Sequence, residues 1–340
     1  MSEIQLFALI KQMSAVLESG DEIYKPSLYW QELNTRHEDS LYDNGIDQFK
    51  NTQNLQYFNF IMSSVKDGLF KRQIQLWPTH FDDSMIETIF ENKEILPPHM
   101  AEIYRIYVSL LWGLTKHHDQ LGQFEQLSEP LVGNPFRIRR GDGYISQDLC
   151  NSYREYQAVV IGSYPERSPN GRVIGELGSG YGRVGYVFGM LSNARYCFFD
   201  IPPALAIAQA YFQKIFPDRK IFGFRDFRNF AQVEAEIASS QFAFFTANQI
   251  EQFPDSYFDT FINISSLHEM KKNQIAHYLN QFDRLTKTSI YLKQWILSGN
   301  HVDNIIVTAN DYPLPDHWQA AIDQIDLVAP LFFERLLLRQ

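Results

Sequence analysis

Val173-Ile174-Gly175-Glu176-Leu177-Gly178-Ser179-Gly180-Tyr181-Gly182-Arg183-Val184-Gly185 is the stretch on which the reading of this chain turns. An apolar strand runs into alternating glycines and then into a helix-length segment. Glycines are needed where a chain turns sharply and lets a ligand touch its backbone, which a Cβ would obstruct. The N–H groups opening the next helix point at the same spot, so a negative group can rest on them. Eighteen residues after Gly182, Asp200 ends the next strand candidate, RYCFFD. A carboxylate there can accept hydrogen bonds from both hydroxyls of a ribose. Ser179 and Ile201 lie directly beside these positions. Strand, glycines, helix, strand and acid occur in working order for a nucleoside ligand.

Outward from this unit the same alternation continues. IPPALAIAQAYFQKIF reads as a helix with proline at its first positions, FDTFINIS as a buried strand and SIYLKQW as another. NQIAHYLNQFDRL between them carries Ile275, Tyr278, Leu279, Phe282 and Leu285 on one helical face. Strands alternating with helices imply an α/β fold with a mostly parallel sheet covered on both faces. Between Lys220 and Gln249 both KIFGF and QFAFFTA read as strands with a charged helix inserted between them, and their order stays open. DLVAPLFFERLLLRQ closes the chain with one or two strands whose pairing the sequence leaves undecided.

Ahead of the unit the period is helical. Leu6, Leu9, Ile10, Met13, Val16 and Leu17 repeat at helical spacing, and HMAEIYRIYVSLLWGLTKHHDQLG has one broad apolar stripe. The turn-rich GNPFRIRRGDGYIS follows, and Ser146 is placed to cap a helix through QDLCNSYREYQAVVIG. SYPERSPNGR is the best boundary candidate. The expected organisation is an all-α region over 1–165 and a ligand-binding domain over 166–340.

Composition narrows the function classes. With 340 residues, 45% hydrophobic and 15% aromatic, the chain can fill a substantial core. A formal charge of −10 argues against general affinity for nucleic acid, which rests on neutralising phosphates. Cys150 and Cys197 have no spacing suited to zinc or a disulfide framework and read as plain buried thiols. No apolar run approaches the roughly 20 residues a membrane helix needs, and the N-terminus lacks the pattern of a signal peptide. A soluble protein of the cytoplasm is the default expectation.

Gly180, Gly182 and Gly185 also fit the spacing of dinucleotide-binding loops, so the glycines alone do not separate a nicotinamide site from others. Glu176 separates them. A carboxylate beside the glycines would repel a pyrophosphate, whereas it suits a donor carrying an ammonium and a sulfonium. S-adenosylmethionine is therefore the expected cofactor. A nicotinamide-dependent oxidoreductase and a non-catalytic scaffold of the same fold stand as the alternatives.

ELGSGYGRVG, YCFFDIPPALAIAQAYF and FDTFINISSLHEM together resemble the class I methyltransferases, and more narrowly the bacterial sugar O-methyltransferase family, over roughly residues 130 to 295. The resemblance implies a Rossmann-like, seven-stranded sheet with one antiparallel strand near its edge. It implies that Gly178, Gly180 and Gly182 line the methionine part of the donor, that Glu176 faces its amino end and that Asp200 holds the ribose. Related enzymes often carry an Asp after the third strand to meet the adenine. Here TANQIEQF offers Asn248 or Gln249 instead. Asn263, on the strand FDTFINIS, joins the cofactor candidates, and Arg154 is a candidate for the donor carboxylate.

That strand delivers Ser265, Ser266, His268 and Glu269 to the sheet edge where ligands of open α/β folds collect. Methyl transfer requires a hydroxyl aligned in line with the methyl group and a group that takes its proton. His268 is the candidate base and Glu269 its partner, with His301 as a further candidate on the acceptor side. Tyr144 and Arg139 offer an aromatic face and a polar edge for a sugar. No ligand cluster suggests a metal. The N-terminal helices are expected to form a lid or an interface between copies.

Overall fold

The computed structural model describes residues 1–52 and 87–340, so part of the region expected to be helical, 53–86, lies outside the described residues. In chain order the elements are α1 (Glu3–Glu18), α2 (Leu28–Asn44), β1 (Ile89–Phe90), α3 (Pro98–His117), β2 (Ile138–Arg140), β3 (Gly143–Ile145) and α4 (Gln147–Ser163). There follow β4 (Val173–Leu177), α5 (Arg183–Leu191), β5 (Arg195–Asp200), α6 (Ala204–Ile215), β6 (Ile221–Phe222), α7 (Glu234–Ala238) and β7 (Phe242–Thr246). The chain ends with β8 (Phe258–Ile264), α8 (Lys272–Leu285), β9 (Thr286–Trp295), β10 (Leu297–Asn300), β11 (Ile305–Thr308), β12 (Trp318–Ile325) and β13 (Phe332–Arg339). Two compact units result: Met1–Asp39 with Ala158–Asp326 and Leu331–Gln340, and Ser40–Gln157 with Leu327–Pro330.

The first unit is built on one sheet of order β12-β13-β9-β8-β4-β5-β7-β6. All neighbours from β9 to β6 are parallel, and β13 runs antiparallel to both β9 and β12. The sheet has eight strands rather than the expected seven, because both KIFGF and QFAFFTA pair, the former as the two-residue edge strand β6. α7 is the helix inserted between them. β12 was not foreseen, since its burial pattern is mostly exposed, as befits a strand at the sheet's edge.

Alternation along the strands explains why both faces are covered. Phe198 of β5 and Phe244 of β7 stack at 4.7 Å on one face and meet Phe212 of α6. Phe199, Phe245 and Phe261 point the other way, where Phe261 stacks on Phe282 of α8. Leu6, Leu9, Ile10, Met13 and Leu17 of α1 are buried, and α1 packs on α6 and β7. The N-terminal 39 residues are thus part of the sheet unit, and the division differs from one at 165/166.

The second unit corrects the expectation of an all-α region. Beside α3 it holds an antiparallel sheet of order β1-β2-β3. The RRGDG turn is a hairpin: Arg140 pairs with Gly143 across a two-residue loop whose first residue, Gly141, has φ 55°. Such loops favour glycine there because their twist matches that of the strands. As expected, Ser146 Oγ caps α4 by accepting the Leu149 N–H at 2.9 Å. No helix among the described residues is long and apolar enough to cross a membrane. Cys150 and Cys197 are buried free thiols.

Candidate active site at the ends of β4, β5 and β8

β4 is buried throughout and lies between β5 and β8, so the strand order reverses at its C-terminal end. That reversal opens the crevice in which open α/β sheets bind ligands. The glycine loop begins there. Gly178 has φ 69°, and a Cβ on it would stand 2.2 Å from Ser266 Oγ, so the loop closes on the segment after β8. Gly180 has φ 57°, and no atom of the described residues outside its chain neighbours lies within 4 Å of where its Cβ would stand. One glycine therefore permits contact with protein, and the next leaves space open. Gly182, at φ 86°, is the left-handed N-cap of α5.

Two carboxylates flank the loop. Gly180 N–H donates to Asp200 Oδ2 at 2.6 Å and Ile201 N–H to Oδ1 at 2.7 Å. Burial pushes the Asp200 carboxyl up to about 7, opposed by these N–H groups and the Ser179 hydroxyl. Glu176 is buried on β4 and accepts the Tyr196 hydroxyl at 2.7 Å.

The end of β8 supplies the second half. Ser265 has φ 53°, uncommon for a residue with a side chain, and directs the chain so that Ser266 meets Gly178. Asn263 is wholly buried: its Nδ2 donates to the Leu177 carbonyl at 2.8 Å and to Ser266 Oγ at 2.7 Å. It therefore joins two loops inside the fold. His268 and Glu269 lie on the 3-10 turn Leu267–Glu269, with His268 Nε2 3.6 Å from Glu269 Oε1. Burial lowers His268 to about 4 against the hydrogen bond with Gln294, which raises it. Burial raises Glu269 to about 8, opposed by a hydrogen bond from the Trp30 side chain and reinforced by the charge of Asp200. Glu269 Oε2 is buried without a hydrogen-bond partner. At neutral pH this pair is an uncharged imidazole beside a largely protonated acid.

The two adenine candidates differ. Gln249 Oε1 accepts the Thr246 N–H at 3.0 Å and its Nε2 donates to the Arg225 carbonyl at 2.9 Å, so both ends of its amide are used in the fold. Asn248 Nδ2 donates to the Val16 carbonyl of α1 at 3.1 Å, while its buried Oδ1 has no hydrogen-bond partner. His301 is exposed in the turn between β10 and β11. Arg154, Tyr144 and Arg139 belong to the second unit. There the Tyr144 hydroxyl donates to Glu91 Oε2 at 3.0 Å and Arg139 Nε to Glu91 Oε1 at 2.8 Å, so the two sugar candidates converge on one carboxylate.

Sequence reading missed Gln294, Trp30 and Glu91. Gln294 shares β9 with other polar residues, among them Ser289 and Lys293, so its residue type set it apart little, and it emerges fully buried. Trp30 reaches Glu269 from a distant part of the chain. Its helix, α2, is held by Asp303, which accepts the Leu28 and Tyr29 N–H groups at 3.0 Å each.

No protein-family model matches the sequence, and no curated protein matches it. Among solved structures the chain is similar to magnesium protoporphyrin IX methyltransferase from Synechocystis PCC 6803 with bound SAM, at 14% identity over 59% of this chain and 87% of that one, TM-score 0.38. It is also similar to 1,6-didemethyltoxoflavin-N1-methyltransferase from Burkholderia thailandensis, at 15% identity over 56% and 78%, TM-score 0.38. A third is the mitomycin 7-O-methyltransferase, at 12% identity over 68% and 60%, TM-score 0.35.

Proposed function

We propose that this chain is an S-adenosylmethionine-dependent O-methyltransferase acting on a hydroxyl of a sugar or a glycosylated small molecule. The observation that carries this reading is the open face of Gly180, which the buried Asp200 holds, on a loop that leaves β4 just after the buried Glu176. A diphosphate there would face like charge, which at about 4 Å and an effective dielectric near 20 costs roughly 4 kcal/mol per pair. A cationic donor gains from the same charges. Its fit has further support in the unpartnered Asn248 Oδ1, an acceptor suited to the exocyclic amine of a purine.

When bound, the donor supplies a methyl group on a positively charged sulfur. Asp200 would accept the ribose hydroxyls, Glu176 would face the ammonium and the glycine backbone would accommodate the methionine part. His268 and Glu269 stand at the next strand end, where the acceptor hydroxyl would lie. His268 and, once ionised, Glu269 would take the proton of an acceptor hydroxyl aligned with that methyl group. Within that pair the Glu269 carboxylate holds a proton more strongly, since burial raises its affinity and lowers that of His268. The four residues named for this reaction, Glu176, Asp200, His268 and Glu269, all belong to the first unit. The saccharide acceptor rests on the family resemblance of the sequence and on the net negative charge.

Thermal-shift titration with S-adenosylhomocysteine and with NAD separates the donor classes, and stabilisation by NAD alone rejects the proposal. Labelled methyl donor with a panel of nucleotide sugars and glycans then tests the acceptor. Tight donor binding without transfer to any hydroxyl favours a non-catalytic scaffold.

A further inference from the structure

We infer that Gln294 is a positioning residue that fixes the tautomer of His268, keeping its proton on Nδ1 and its bare Nε2 toward Glu269. Asn263 Nδ2 faces the Leu177 carbonyl and Ser266 Oγ, while its Oδ1 accepts the Leu267 N–H at 3.4 Å. A carbonyl on one side and an N–H on the other leave Asn263 one orientation.

Gln294 inherits its orientation from Asn263. Its Nε2 donates to the Asn263 backbone carbonyl at 3.1 Å and to Asn263 Oδ1 at 2.5 Å, which spends both amide hydrogens on acceptors. Its Oε1 then faces His268, where it receives the backbone N–H at 3.3 Å and stands 3.1 Å from Nδ1. Reversing the amide would set oxygen against the Asn263 carbonyl and NH2 against the His268 N–H. An oxygen acceptor opposite Nδ1 requires a hydrogen on Nδ1, so the lone pair of the neutral ring is on Nε2, 3.6 Å from Glu269 Oε1.

A free neutral imidazole favours the opposite tautomer, so the network imposes a choice that the ring would not make. The choice is tied to Leu177, the last residue of β4 before the glycine loop. The tautomer is thus set from the strand that carries the candidate cofactor loop. Only the catalytic consequence of this inference rests on the methyl transfer proposed above.

Full-length protein labelled with 15N-histidine tests it, with His268→Gln identifying the His268 signals among the nine histidines. Long-range nitrogen–proton correlation is expected to show Nδ1 protonated and Nε2 bare. The Nε2–H form in the unsubstituted protein overturns the inference, and that spectrum decides the matter even where a substitution at this buried site fails to fold. Gln294→Met is expected to shift the ring to the Nε2–H form, and Gln294→Glu, which still offers an acceptor, to retain Nδ1–H. An unchanged tautomer in Gln294→Met also overturns it. In methyl transfer Gln294→Met should lower kcat by about tenfold or more with donor affinity unchanged, and Gln294→Glu should restore part of it. A chain that lacks methyl transfer yet shows the Nδ1–H ring rejects the proposed reaction and sustains this inference.

Discussion

Gly180 N–H donates to Asp200 Oδ2 at 2.6 Å, so the carboxylate that ends β5 holds the open residue of the glycine loop. Loop shape and local charge are therefore one feature. Burial raises Asp200 from 3.8 to about 7, so the folded chain holds this proton more tightly than the unfolded chain does. Stability from this group is fully present below about 4 and lost as pH rises to about 7. A cationic donor binds the ionised form and displaces the proton. Its affinity should rise by up to about tenfold per pH unit below 7 and then level off. Calorimetric titration across that range checks this, and Asp200→Asn should abolish the slope; a flat profile in the unsubstituted chain would contradict it.

Gly178→Ala adds a Cβ 2.2 Å from Ser266 Oγ at a residue whose φ is 69°. Both neighbour and backbone resist it, and the fold should lose about 1–3 kcal/mol. Thermal unfolding measures the loss. Gly180→Ala meets open space and shares only the backbone strain, so it should cost less stability while weakening binding of S-adenosylhomocysteine. Equal loss of stability in the two variants would argue against the loop having one closed and one open face.

Glu269→Gln removes the group with the greater proton affinity in the His268–Glu269 pair. Methyl transfer should fall by about 10²–10⁴-fold with donor affinity little changed. With Glu269 at about 8, kcat/KM in the unsubstituted enzyme should climb with pH and flatten above that value as the carboxylate forms. Steady-state kinetics over the pH range reads both. A rising limb that survives Glu269→Gln assigns it to another group.

Asp303 caps α2 from the turn between β10 and β11, and α2 brings Trp30 to Glu269. Asp303→Ala should cost about 1 kcal/mol of stability, as the loss of an N-cap does. It should also raise the acceptor KM more than it lowers kcat, because the Trp30 side chain loses its anchor. Tryptophan emission and KM together report on this, and a pure stability change with unaltered KM removes Trp30 from the acceptor side.

Local physics made the middle of the chain legible. A strand that must bend and admit a ligand needs glycine at fixed positions, and strands buried on both faces read as continuous apolar runs; both demands are written within a few residues. β4, β5, β8, β9 and α8 could thus be read from the sequence, as could the arrival of Asp200, His268 and Glu269 at one sheet edge. One element was hidden because its signal is weak: β12 has an exposed face that does not alternate cleanly, whereas the short β6 was legible within KIFGF. β2 and β3 read as turns, and β1 fell within the region read as helical, because these strands are only two or three residues long. The rest depended on contacts between segments far apart along the chain. No period or spacing indicates that Asn248 meets α1, that Asp303 caps α2, that Trp30 reaches Glu269 or that Gln294 faces His268. Hydrogen-bond partners of buried polar groups are chosen by the packed backbone, which alone decides which donor stands opposite which acceptor.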